Sequence, residues 1–543
     1  MKIASEVSDD KIRGGFYSPE PLVDHCLHRV GSLIGDRHEL SVIEPGAGDG
    51  AFVRGLMKSP LARQVGDLLA IELLPSEATK VRDLLRSAEF QGHVISGSVI
   101  DWASKTDKEF DVVVGNPPFV RYQFISPADK QNIVDLGERL GLPFRGVSNL
   151  WIPVLLSALT RLKPNGAFAL IVPTECLTGV SAGSVRLWLA ANANELLLDL
   201  FPPGSFPYVL QEVLIVSGRR REMPRSSPAI FKICDHGSTG RAREWSYSAP
   251  VSGDNWTRYL LPPDYLAALR EAESLPVVTA LGKTARFEVA AVTGANEYFS
   301  IDIATAGKFD LDRWTRPLLP RTRHAHGLVY RSTDHELTKA AGARALLLHF
   351  AQELPNPESF GGAREYLELG VSYGIPDRYK CRIRDPWYRV PHVRPGTLMM
   401  SKRSHRYHRV LINAAEVVTT DTIYRGDLLH QNGIRTIDLA AAFHNSLTLL
   451  STELEGRSFG GGVLELVPSE IGRLLVPIPK AFGSNLKALD LLNRQSGDPE
   501  SEERLVDETD SLLVASGNGI SRQLIGRLRD ARLLLMRRRL DRN

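Results

Sequence analysis

Between residues 18 and 217, short apolar runs alternate with stretches whose apolar residues return every three or four positions. Runs too short for a helix predict strands buried on both faces of a sheet, and the three-to-four spacing predicts amphipathic helices. Strands are expected at Ser41–Ile43, Leu68–Glu72, His93–Trp102, Asp111–Gly115, Gly166–Pro173, Glu195–Pro202 and Glu212–Ser217. Leu22, Val23, Cys26, Leu27 and Val30 mark a first helix, with Ser18 placed as N-cap, Pro19 as first helical residue and Glu20 in the first turn. Another helix is expected from Trp151 to Leu162, stopped by Lys163-Pro164-Asn165-Gly166. The order of these elements predicts an α/β fold. Its last two strands, separated by a short Pro/Gly loop, are expected to finish the sheet as an antiparallel edge pair.

Open α/β sheets bind ligands beyond the carboxyl ends of their strands, and the residues there are informative. Glu44-Pro45-Gly46-Ala47-Gly48-Asp49-Gly50 is a strand end, a glycine turn and a helix start. Glycines let backbone approach a ligand closely, and free amides at a helix start attract a carboxylate or phosphate. Glu44 would repel a pyrophosphate but can pair with a cationic amino-acid group. Glu72, about 20 residues further on, can accept hydrogen bonds from both hydroxyls of a ribose. A nucleoside with a cationic amino-acid tail, S-adenosyl-L-methionine, satisfies both acids. The third strand should set a polar group beside its adenine, either Ser98 or Asp101.

The run Asp111-Val112-Val113-Val114-Gly115 ends in Asn116-Pro117-Pro118-Phe119. Two prolines remove two donors and fix φ, so the chain leaves the sheet stiffly with Asn116 and the Pro117 carbonyl facing what lies beyond. With the flat face of Phe119 they can hold a planar ring bearing an exocyclic amine, a nucleobase or an amide. A nicotinamide oxidoreductase explains neither this loop nor Glu44.

Composition narrows the class. The 543 residues require two or three domains, and 43% hydrophobic with 24% charged residues is an ordinary globular balance. Cys26, Cys176, Cys234 and Cys381 lack the paired spacing of a zinc site or a disulfide framework, so no metal is expected and a reducing cytoplasmic compartment fits. No signal core and no apolar run of about 18 residues suggests a membrane role. The net charge of +3 decides little, but residues 378–409 carry ten Arg or Lys against Asp385, with Asp377 just before, and are interleaved with aromatic and His residues. Such a stretch can neutralise phosphates and read guanine edges, and Arg382, Arg384, Arg389, Lys402 and Arg403 are its candidate DNA contacts.

The ordered set Ser18-Pro19, Glu44-Pro45-Gly46-Ala47-Gly48, Glu72, Asn116-Pro117-Pro118-Phe119 and Phe201-Pro202 resembles the gamma class of DNA adenine-N6 methyltransferases of bacterial restriction-modification systems, the TaqI-like layout. Arg286–Phe299, Tyr379–Tyr388 and Glu455–Val463 also resemble the Eco-type members with long C-terminal halves. The resemblance implies a Rossmann-like class I methyltransferase sheet in a catalytic domain over residues 1–225 and a connecting segment over 226–280. A mixed α/β DNA target-recognition domain over 281–480 and a small helical tail over 481–543 would follow. It implies that Tyr17, Ser18, Glu44, Gly46, Gly48 and Glu72 hold S-adenosyl-L-methionine. Asn116 and the Pro117 carbonyl would bind the 6-amino group of a flipped adenine, Phe119 would stack on it and Phe201 would pack against its edge. The family usually has an acid where this chain has Ser98, so Ser98 substitutes or Asp101 acts from a shifted position.

Double-stranded DNA is the implied partner, and any cleavage is expected from a separately encoded restriction endonuclease. Methyltransferases acting on RNA or on protein glutamine also use Asn-Pro-Pro-aromatic, but lack so large a basic second half. A non-catalytic DNA-binding subunit would not require the Glu44 to Gly50 and Asn116 to Phe119 sets.

Overall fold

The computed structural model describes residues 18–119, 126–142, 149–179, 181–201, 213–225, 230–237, 242–248, 255–429, 433–495 and 499–540. A first compact unit reaches Pro263, and a second comprises Asp264–Ser458 and Gly462–Leu540.

The first unit is an α/β domain. Helix α1 (Glu20–Ile34) buries Leu22, Val23, Cys26, Leu27 and Val30 on one face and ends at Gly35, whose φ of 67° suits glycine. It is followed by β1 (Leu40–Pro45), α2 (Ala51–Lys58), β2 (Val65–Glu72), α3 (Pro75–Ser87), β3 (His93–Ser96), α4 (Val99–Ser104) and β4 (Phe110–Gly115). Then come α5 (Pro127–Leu140), α6 (Trp151–Leu159), β5 (Leu162–Pro173), α7 (Gly183–Asn192), β6 (Ala193–Leu200), β7 (Val213–Arg220), β8 (Ile230–Asp235) and β9 (Arg243–Tyr247). These strands make one sheet in the order β3-β2-β1-β4-β5-β7-β6-β8-β9. The first five are parallel to their neighbours, and β7 runs antiparallel between β5 and β6. All six residues of β4 are buried, which is why Val112–Val114 form an unbroken apolar run rather than an alternating one.

At the amino end of β4, Asp111 accepts hydrogen bonds from the Ser41 hydroxyl (2.7 Å) and Lys163 (2.8 Å) and ion-pairs with Arg37. Burial alone would raise its pKa, but these donors hold it at about 2. The staple fixes β1, β4 and the start of β5 at the end opposite the glycine turn.

Several expectations need correction. The third strand stops at Ser96 rather than Trp102, because Ser98 caps α4 through the Asp101 amide (3.5 Å) and the chain turns helical there. The N-cap of α1 is Pro19, not Ser18, and makes no side-chain capping bond. The helix from Trp151 ends at Leu159, and the expected stop at residues 163–166 lies inside β5, with Asn165 at φ 61°. The β6–β7 pair is antiparallel as expected but is not the edge: β8 adds to β6 and β9 to β8. The expected boundary at 225 therefore cuts a continuous sheet, and residues 226–263 belong to the first unit rather than to a connector.

The second unit is built on a five-stranded sheet. Its strands are β10 (Ala285–Glu288), β11 (Val329–Tyr330), β12 (Leu398–Ser401), β13 (Val410–Asn413) and β14 (Ile423–Leu428), in the order β10-β14-β12-β13-β11. Trp314, Phe299, Phe350 and Leu347 centre one core in this unit, and Leu398, Met400, Phe443 and Val476 another. Its helices include α8 (Gly361–Ser372), α9 (Tyr379–Arg382), α10 (Ser446–Glu455), α11 (Leu486–Arg494), α12 (Pro499–Ala515) and α13 (Arg522–Leu540). Among the described residues from 481 onward the helices expected there are found, α11, α12 and α13, but they do not form a separate tail. Near the end of α13, Arg539 is buried, forks onto Glu453 of α10 (2.6 and 2.9 Å) and donates to the carbonyls of His405 and Arg406.

Candidate functional site

Glu44 sits at the carboxyl end of β1, almost wholly buried, and its Oε2 has no hydrogen-bond partner among the described residues. Burial, then the nearby carboxylates of Glu72 and Asp49, push its pKa well above the usual carboxylate range. A buried carboxylate without a counter-ion is costly, and a cation brought against it relieves that cost. The turn that follows has Gly46 and Gly48 at φ 92° and 52°, conformations that favour glycine. Its amides are committed inward: Gly46 and Ala47 donate to the Ile71 carbonyl at 2.8 and 3.0 Å. Gly48 donates to Glu72 Oε2 at 2.8 Å. Glu72 also accepts from the Leu74 amide at 2.8 Å, so one carboxylate shapes the glycine turn and caps its own loop.

The Asn116 loop stands directly beside this turn. A Cβ added to Gly46 would lie 3.3 Å from Pro118 Cδ, and one added to Gly115 would lie 3.3 Å from Pro45 Cδ. Asn116 Nδ2 donates to Ser18 Oγ at 3.1 Å, so the serine expected to cap α1 instead holds the amide at the end of β4. Phe119 and Phe201 are part-buried against the core that includes α1. The structure thus brings Ser18, Glu44, Gly46, Gly48, Glu72 and the Asn116 loop to one end of the sheet, while Tyr17 lies outside the described residues.

Two other groups near these strand ends were not foreseen. Phe201 stacks on His236 at 4.9 Å between centroids, and His25 of α1 stands edge-on to Phe201 at 5.2 Å. Both imidazoles reach the buried Asp199 of β6, at 3.1 Å from His25 and 2.8 Å from His236. Burial would raise the pKa of Asp199, but His25, Arg29 and His236 hold it far below the usual range. His25, Asp199 and His236 are close enough to share a metal ion, yet Arg29 takes both carboxylate oxygens at 2.9 and 2.6 Å and would have to be displaced. The second group is at the end of β3. Ser98 donates to Asp129 Oδ1 of α5 at 2.6 Å, and Asp129 Oδ2 accepts from Ser126 at 3.0 Å. Asp101 instead faces Lys105 (2.8 Å) and Asn132 (3.5 Å). Asp129 lies three residues after Ser126, a capping pattern that gives no hint of Ser98.

Residues 76–200 match the family described as Eco57I restriction-modification methylase, and residues 253–514 match the C-terminal domain of Type II methyltransferase M.Eco57I. The chain belongs to the restriction-modification methyltransferases. Type II methyltransferase M.AccI of Acinetobacter calcoaceticus is 20% identical over 482 residues, 84% of this chain and 84% of that protein. M.XamI of Xanthomonas campestris pv. amaranthicola is 22% identical over 501 residues, 86% of this chain and 85% of its own length. Among solved structures, the type IIG restriction endonuclease BpuSI is 14% identical with a TM-score of 0.40, the alignment covering 97% of this chain and 66% of that one. The DrdV–DNA complex is 11% identical with a TM-score of 0.47, covering 90% and 60%. S-adenosyl-L-methionine is the cofactor expected of this methyltransferase family, and a buried carboxylate lacking a partner beside a glycine turn fits its cationic amino-acid end.

In the second unit of this methyltransferase the basic stretch divides. Arg384 is spent on the chain itself, donating to the carbonyls of Thr293 (2.8 Å) and Val292. Arg403 ion-pairs with Glu465, and Lys402 lies 3.9 Å from the same carboxylate. Arg409 is half-buried and donates to the carbonyls of Ala325 and Gly327 at 2.8 and 2.7 Å. Arg389 is half-buried, and Arg382 is exposed. Charge density in the sequence therefore overstates the charge presented to solvent.

Proposed function

We propose that this methyltransferase transfers a methyl group from S-adenosyl-L-methionine to the 6-amino group of an adenine rotated out of duplex DNA. The observation that carries the proposal is the juxtaposition of the Asn116 loop with the Gly46 turn, beside a buried Glu44 whose Oε2 has no partner among the described residues. On this reading Glu44 receives the cofactor's α-amino group, Gly46 and Gly48 leave room for its methionine end, and Glu72 takes the ribose with the lone pairs its two amide bonds leave over. When bound, the cofactor supplies an electrophilic methyl on a sulfonium.

The chain's own residues prepare the acceptor. An aromatic amine is a poor nucleophile because its lone pair is delocalised into the ring. Asn116 and the Pro117 carbonyl would accept its two hydrogens and favour a more tetrahedral nitrogen, which is positioning and electrostatic work. Phe119 would replace the stacking lost when the base leaves the duplex, and Phe201 would support its edge. The first unit would carry the chemistry and the second the recognition of the DNA sequence. A separately encoded restriction endonuclease is the natural counterpart.

Labelled methyl transfer to duplex DNA, with digestion to nucleosides, tests the proposal: N6-methyladenine is expected. Methylated cytosine, RNA or protein as the sole product overturns it. Long-read modification mapping of DNA from cells expressing the chain would give the target sequence.

A further inference from the structure

The basic stretch has one part that is not consumed internally, and its setting distinguishes it from the rest. Between the end of α8 and Ile383, Val371, Tyr373, Tyr379 and Ile383 are 57%, 64%, 64% and 61% exposed. Scattered apolar exposure is ordinary, but four large side chains within one short segment are not. Arg378, Lys380 and Arg382 lie among them, all exposed, with Lys380 5.4 Å from the centre of the Tyr379 ring. Of the nearby acids, Asp377 lies within the segment beside Arg378 and Asp385 just beyond it, against the three cations Arg378, Lys380 and Arg382.

This segment is mounted firmly. Successive turns link it, through Ile375 to Gly370, Arg378 to Ile375 and Cys381 to Arg378 at 3.1, 3.2 and 2.8 Å. Ile375 and Cys381 are buried beneath it, and Arg384 pins its far end to the carbonyls of residues 292 and 293. Gly294 (φ 81°) lets the neighbouring loop pass so close that a Cβ there would meet Lys380 Cβ at 2.7 Å. Tyr379, Lys380 and Arg382 lie on the single turn of α9, with Arg378 and Ile383 flanking it, so apolar and cationic side chains are interspersed over one short, exposed segment.

We propose that the surface formed by residues 371–383 docks duplex DNA, with Arg378, Lys380 and Arg382 on phosphates and Tyr379 and Ile383 packed against sugars and base edges in the groove. The proposal rests on the reading of DNA as substrate and adds where the second unit grips it. The partner is argued from charge: solvent-facing cations set among exposed apolar side chains fit a polyanion with stacked, partly apolar edges.

The test is binding of a fluorescein-labelled random-sequence duplex to the full chain over a range of salt concentrations. Lys380→Ala with Arg382→Ala should reduce the salt slope by roughly two released counterions. Tyr379→Ala and Ile383→Ala should each lower affinity about tenfold with the slope unchanged, since they remove contact area and no charge. All four side chains are exposed, so folding should survive, and an unchanged melting temperature checks it. Wild-type affinity and slope in both sets of variants overturn the inference while leaving the methyltransferase reading intact. So does a loss of self-association on sedimentation with DNA binding unchanged, which would make the surface a contact between copies. A wild-type chain that binds no DNA overturns both readings.

Discussion

Ser98 and Asp129 come from different helices and meet at 2.6 Å, with the serine hydroxyl donating to the carboxylate. α5 thus sets a carboxylate beside residue 98. Ser98 follows directly on the strand end paired with Glu72, through the Glu72–Ser96 register, whereas the Asp101 side chain is engaged by Lys105. Asp129→Ala should therefore weaken binding of S-adenosyl-L-methionine by about 1–3 kcal/mol, the usual worth of a lost charged hydrogen bond, and Asp101→Ala should not. Calorimetry decides, and a cofactor analogue with an oxo group in place of the adenine amine sharpens it. Wild type should discriminate against the analogue and Asp129→Ala should not. Equal discrimination in the two proteins would remove Asp129 from the adenine site.

Cofactor binding should release protons at Glu44. Burial beside Glu72 and Asp49 raises its pKa in the free protein, so the carboxyl keeps its proton to higher pH than an ordinary glutamate. A cation bound there favours the ionised form, and affinity should rise with pH until Glu44 is ionised before binding. Calorimetry in buffers of different ionisation enthalpy measures the protons released. Glu44→Gln should bind more weakly and without this linkage. A wild-type chain that binds with no proton exchange across the acidic range would exclude Glu44 as partner of the amino group.

The second unit should lose stability as the pH falls below neutral. His408 and His444 are fully buried, and burial lowers their pKa values from 6.5 to about 4 and about 3. Both are neutral in either state above pH 6.5. Below it the unfolded chain takes up protons the folded chain refuses, and stability falls until pH approaches the folded values. For His408 alone the window from 6.5 to 4 corresponds to a loss on the order of 3 kcal/mol. Urea unfolding at pH 7 and pH 5, followed by tryptophan fluorescence, should show the lower midpoint at pH 5. Unfolding at pH 5 should also consume protons. A midpoint independent of pH in this range would contradict the assignment.

What could be read in advance follows from how local each feature is. β4 and the Asn116 loop are legible because a doubly buried strand must be apolar and two prolines must end it. The glycine turn is legible because its positive φ values call for glycine. Ser18 does not cap α1 as its spacing suggests, because its hydroxyl partner, Asn116, is nearly a hundred residues away just beyond β4. Asp129, His25 and His236 were invisible because their partners come from other elements and no spacing relates them. Strands β8 and β9 are not legible because short strands with polar surroundings resemble linker, and only the pairing of β8 with β6 and of β9 with β8 makes them sheet. The fate of Arg384 and Arg409 depends on carbonyls near residues 292 and 326, so counting cations could not separate structural from exposed ones.

Ser18 should act through Asn116. The Asn116 amide can present either its oxygen or its nitrogen to a bound base, and the bond from Nδ2 to Ser18 Oγ at 3.1 Å fixes which. Methyl transfer needs the oxygen as acceptor for the target amine, and loss of the serine hydroxyl weakens the hold on that orientation. Ser18→Ala should lower kcat roughly tenfold, equivalent to about 1.4 kcal/mol, with little change in affinity for DNA. Asn116→Ala, which removes the acceptor itself, should abolish transfer while leaving cofactor binding nearly intact, because the interaction is made chiefly in the transition state. Adding Ser18→Ala to Asn116→Ala should then cost no further activity, since the two act as one unit. If Ser18 instead holds the carboxylate of the cofactor, Ser18→Ala will raise the cofactor Kd and leave kcat at saturation unchanged. Calorimetry and single-turnover kinetics on the two single variants separate these roles, and near-wild-type transfer by Asn116→Ala would exclude Asn116 as the acceptor.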